Sequence, residues 1–92
     1  MNTEQAEIVA LKALTFLAAN TELMDRFAAL SGVAPNDVIA RAGDGEMLAG
    51  VMDFLLSDEA VLTDFCAAHG IDPEHPARAR QNLPGGDLPH WT

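Results

Sequence analysis

Ninety-two residues, 49% of them apolar, suffice for one domain with one modest core and are too few for a second. Lys12, Asn20 and Asp25 interrupt the most apolar region before it reaches about 18 residues, which excludes a membrane span, and Met1-Asn2-Thr3-Glu4-Gln5 carries acid where a secretory signal carries base. Fourteen acidic against five basic side chains, a formal charge of -9, repel phosphate backbones and anionic bilayers; nucleic acid and membrane are therefore not expected as partners, and a cytoplasmic protein is.

Alanine is abundant, no run alternates as a strand would, and Gly or Pro recurs at helix-length intervals, so the expected fold is all-α. The first helix spans about Thr3 to Ala19, with Asn2 or Thr3 as its cap. Asn20 caps a second, about Thr21 to Leu30, with Leu23, Met24, Phe27 and Leu30 on one face and a Glu22–Arg26 pair on the other. Gly32 stops it, and Pro35 opens a short third helix to about Ala42. Asp44 then caps a fourth, Gly45 to Leu56, with a wide apolar arc. Ser57 or Asp58 caps a fifth, Glu59 to His69, and Gly70 ends it. Asp72-Pro73 repeats the cap-plus-proline start for a sixth helix that ends near Gln81 and that Pro76 keeps short or irregular. Two prolines and paired glycines leave residues 83–92 as an extended arm on a helical domain of residues 1–82.

A gapless offset of 38 residues sets Phe16-Leu17 on Phe54-Leu55, Phe27 on Phe65, Gly32 on Gly70 and Pro35 on Pro73, so that all four phenylalanines pair off. Residues 8–42 and 46–80 then read as two similar three-helix halves sharing one core. Any helical protein repeats its punctuation, and the offset speaks to geometry rather than to chemistry.

No cofactor or metal is expected, and no residue is assigned a catalytic role. Cys66 stands alone, which rules out an internal disulfide, and reads as a small core residue. Arg78 and Arg80, two apart, do not share a helical face. Glu46 and Asp53 share one, but the solvated one. His69, Asp72, Glu74 and His75 supply metal-competent groups without a recognised ligand spacing, and capping and helix-end roles account for His69 and Asp72. A small-ligand or metal site between the halves near His69 and Asp72 is the alternative reading.

The residues left over are apolar. Ile8 and Leu11 lie off the main arc of Val9, Ala13, Phe16 and Leu17, making the first helix apolar nearly all round. Either its own domain encloses it or another chain completes its burial. Leu88 and Trp91 sit on the arm and either fold back to close the open end of the core or dock on another protein. The leading expectation is a non-enzymatic protein-interaction module, self-associating or with a protein partner, built on Ile8, Leu11, Leu88 and Trp91.

Together, Gly32-Val33-Ala34-Pro35, Met52-Asp53-Phe54-Leu55-Leu56 and the Leu-Pro-Gly-Gly-Asp-x-Pro-His-Trp tail give the chain a likeness that covers its whole length, with the tail as its most specific part. It resembles a small uncharacterised family of alphaproteobacterial proteins, a domain of unknown function. The resemblance implies a stand-alone bacterial cytoplasmic protein and brings with it no activity, cofactor or site residue.

Overall fold

Asn2, Asn20, Asp44 and Asp58 each turn a side-chain oxygen toward the free amides of the next few residues, and each opens a helix. At Asn2 the exchange is reciprocal, because Gln5 Oε1 accepts the Asn2 amide while Asn2 Oδ1 accepts that of Gln5. The computed structural model describes residues 1–85 and holds six helices: α1 Thr3–Ala18, α2 Thr21–Ser31, α3 Pro35–Ala40, α4 Gly45–Leu56, α5 Glu59–His69 and α6 His75–Gln81. Among the described residues there is no strand. The fold is thus the all-α bundle that the punctuation specifies. Gly32 and Gly70 close α2 and α5 in the left-handed region, at φ 75° and 62°.

Two departures from the sequence reading stand near the end of the described residues, and the first has a local cause. α6 begins at His75 instead of Pro73, because a helix begun at Pro73 would require at its fourth position an amide that Pro76 lacks. Asp72 accordingly accepts the amide of Glu74 ahead of the helix, at 2.9 Å. Leu83, assigned by sequence to the arm, is buried in the core at 4% exposure.

α1 and α4 form the centre of the bundle, and α6 packs against both. Along α1 the enclosed stripe is Ala6, Ala10, Ala13 and Leu17, all at 0% exposure. Spacings of four, three and four put these on one face, and small side chains there let neighbouring helices approach closely. α4 contributes Leu48, Val51, Met52 and Leu55, which are as deeply enclosed. α2 lies mainly on α1 and α5 mainly on α4.

Two aromatic pairs join these layers. Phe27 and Phe54 meet edge to face at 5.5 Å and 68°, and Phe16 and Phe65 at 5.6 Å and 65°. The 38-residue offset converts one pair into the other. The third helices do not correspond in this way, since α3 packs on α2 whereas α6 packs on α1 and α4.

Candidate functional site

Among the described residues, the large exposed apolar side chains of the helices fall in two places. On α1, Ile8 is 48% and Leu11 41% exposed, on the same open side as Glu4, Lys12 and Thr15 and opposite the enclosed stripe. Ile8 also lines a shallow groove with Met1, Gln5, His75 and Arg78, between the start of α1 and α6.

The second place is on α2 and α3, where Leu30 is 77% and Ile39 50% exposed. Sequence periodicity puts Leu30 on the buried face with Phe27, one turn earlier. That assignment is corrected: the helical phase is right, but among the described residues no element covers Leu30. A groove of about 460 Å³ opens there instead. Phe27, Val33, Met47, Gly50 and Phe54 give it apolar walls, while Ser31, Arg41, Glu46, Asp53 and Ser57 bring polar groups to it. Its size falls within the range of small ligand pockets. Gly50, a glycine inside a helix, where it costs stability relative to alanine, lies on the groove's wall.

Arg41 and Asp53, two of the charged residues at the groove, are paired. Arg41 meets Asp44 at 2.9 Å. Arg80, from α6, reaches Asp53 on α4 through Nε at 2.6 Å and Nη2 at 3.3 Å, and its Nη1 donates to the Pro84 carbonyl at 2.9 Å. One guanidinium therefore ties the end of α6 and the turn beyond it to the groove's edge. Pro84 rests where a side chain on Gly45 would lie, 3.1 Å from such a Cβ. Arg26 does not pair with Glu22, as the i,i+4 rule had suggested. It reaches Asp58 at 3.3 Å and lies over the Phe54 ring at 5.7 Å, because tertiary partners outcompete a solvated neighbour one turn away.

Of the four metal-competent residues, three have other engagements. The His69 ring packs against Phe65 at 5.2 Å and Phe16 at 6.2 Å, Asp72 accepts the Glu74 amide, and Glu74 pairs with Arg78 at 3.6 Å. Among the described residues no three His, Cys, Asp or Glu side chains gather where they could hold a metal ion. Cys66 is buried, and that burial, with a smaller push from Asp72, raises its pKa above the ordinary thiol value. Leu88 and Trp91 lie outside the described residues, as does most of the expected arm. Among the described residues, no helix is long and apolar enough to cross a membrane.

No curated protein matches the chain, and neither does any solved structure. A family model described as a protein of unknown function (DUF3572) matches residues 3–86, a span that holds all six helices, and the chain belongs to that family.

Proposed function

We propose that this protein is a non-enzymatic protein-interaction module whose contact face is the outer side of α1. The observation that carries the reading is the exposure of Ile8 and Leu11, which stand three residues apart on one face of a helix whose opposite face is fully enclosed. Two half-exposed aliphatic side chains are far less than the roughly 800 Å² per partner of a standard interface, so the contact is expected to be weak or to recruit neighbouring side chains.

Self-association is the simplest form of this reading, and the charge sets its salt dependence. Two copies of a chain carrying -9 repel at long range, while the contact itself is apolar. Added salt should therefore strengthen association instead of weakening it. Sedimentation velocity over a range of concentration and salt, on the wild type and on an Ile8→Glu/Leu11→Glu variant, tests this directly. The expected outcome is a salt-enhanced dimer lost in the variant with helicity intact. A monomer at every concentration, with no bound protein that the variant releases, would sink the proposal.

A further inference from the structure

We propose that the groove between α2 and α4 binds a small aromatic amine, with its planar ring seated on the Phe27–Phe54 pair and its ammonium group at the Glu46 carboxylate. Nothing in this site draws on the α1 face, so it is independent of the contact proposed there.

The ring follows from the difference between two equivalent clefts. The 38-residue offset carries Phe27 and Phe54 onto Phe65 and Phe16, and at that second pair a planar ring is already in place: His69, at 5.2 and 6.2 Å from the two phenylalanines. His69 stands one turn after Phe65, whereas the residue one turn after Phe27 is Ser31, too short to cover the rings. Gly50, one turn before Phe54, likewise stands where α1 has Lys12, one turn before Phe16. Among the described residues, about 460 Å³ thus remains open beside the first aromatic pair, a size that suits a small ligand. A flat ring can meet that pair edge to face or in an offset stack, as the His69 ring meets the other.

The charge follows from which polar groups are already engaged. Arg41 is held by Asp44, Asp53 by Arg80, and Arg26, which lies over the Phe54 ring, by Asp58. The hydroxyls are turned to the backbone: Ser57 Oγ donates to the Phe54 carbonyl at 2.7 Å, and Ser31 Oγ donates to the Ala28 carbonyl at 3.4 Å and accepts the Val33 amide at 3.2 Å. Of the charged groups that line the groove, Glu46 alone joins no ion pair among the described residues. A formal charge of -9 on the whole chain adds to that carboxylate in favouring a cation.

Spacing joins the two requirements. Glu46, Gly50 and Phe54 stand four residues apart on one face of α4, the carboxylate one turn before the gap and the ring one turn after it. A ligand ring over Gly50 therefore has Glu46 roughly 6 Å away along the helix at 1.5 Å per residue. A short alkyl arm spans that distance.

Chemical-shift titrations of the full chain at low ionic strength test the site, with tryptamine, indolepropionate and butylamine as probes. Tryptamine supplies ring and positive charge, indolepropionate the ring with the opposite charge, and butylamine the charge without the ring. Tryptamine should shift the Ser31 and Gly50 amides and the Met47 methyl in a saturable way, with indolepropionate roughly tenfold weaker and butylamine without effect on these signals. Glu46→Gln should narrow the gap between the two indoles. Gly50→Leu fills the groove and should abolish binding, and its Cβ meets only Phe27 Cζ at 3.9 Å, an ordinary contact. Ser31→His, which gives α2 the ring that α5 has, should weaken tryptamine binding several-fold at unchanged helicity. Should Gly50→Leu fail to fold, Ser31→His, at an exposed position, decides alone. The absence of saturable shifts at the groove with tryptamine, equal affinity for the two indoles, or binding that the folded variants leave unchanged overturns the proposal. Tighter binding of an acetylated and amidated Lys-Trp-Lys peptide than of tryptamine also overturns it, because the occupant would then be a side chain of a partner protein.

Discussion

Asp58 caps α5 and joins it to α2 with a single carboxylate, accepting the Ala60 and Val61 amides while it meets Arg26 at 3.3 Å. The Val61 amide, followed by Arg26, lowers its pKa from the usual 3.8. Asp44 is lowered chiefly by its hydrogen bond from Arg41 and then by the Glu46 amide. A carboxylate with a depressed folded pKa contributes stability that is complete above the unfolded value of 3.8 and lost as pH falls through the folded one. Asp58→Asn keeps an acceptor for the cap but removes the charge. Thermal melts should show it less stable than wild type at neutral pH and with a shallower decline below pH about 4. Asn20, the corresponding cap of α2, is uncharged. Its replacement by Ala should lower stability by about 1 kcal/mol, or about 4–8 °C in Tm, without a titration in that range.

At the scale of elements, Gly32 and Gly70 hold φ values that side chains resist. Gly32→Ala and Gly70→Ala should each cost about 1–2 kcal/mol in urea unfolding, with an unchanged m-value. Arg80→Lys should leave α6 formed but loosen the turn at Leu83–Gly85, because an ammonium cannot bond both Asp53 and the Pro84 carbonyl with a planar fork. Faster amide exchange at Asn82, Leu83 and Gly85 is the measurement. Helix starts and stops were legible in the sequence because capping is local: Asn20, Asp44, Asp58, Gly32 and Gly70 act within a few residues of where they stand. The groove was not, since its existence depends on which neighbour leaves Leu30 uncovered. The Arg26–Asp58 and Arg80–Asp53 pairs, 32 and 27 residues apart in sequence, were equally beyond a local reading. On α1 the outcome was intermediate, because the wheel isolates Ile8 and Leu11 while only the packing of the other helices shows them uncovered.

For the whole molecule, the paired aromatics offer a test of whether the two halves act as equivalents. Double-mutant cycles with Phe→Leu at 27 and 54, and at 16 and 65, should give coupling of similar size, about 0.5–1.5 kcal/mol each, whereas the pair 16 and 27 should be near additive. Unequal couplings would count against treating residues 8–42 and 46–80 as two copies of one unit. The enclosed stripe of α1 bears on how the protein is made. Ala6, Ala10, Ala13 and Leu17 belong to a helix that is synthesised before α4 and α6, yet these are its main neighbours, and α6 ends only at Gln81. During translation that helix must wait, its inner face wet or transiently shielded, until nearly the whole described chain has emerged. Folding of these six helices thereby waits for α6, and nascent chains halted before α6 should remain protease-sensitive however many of the helices they already encode.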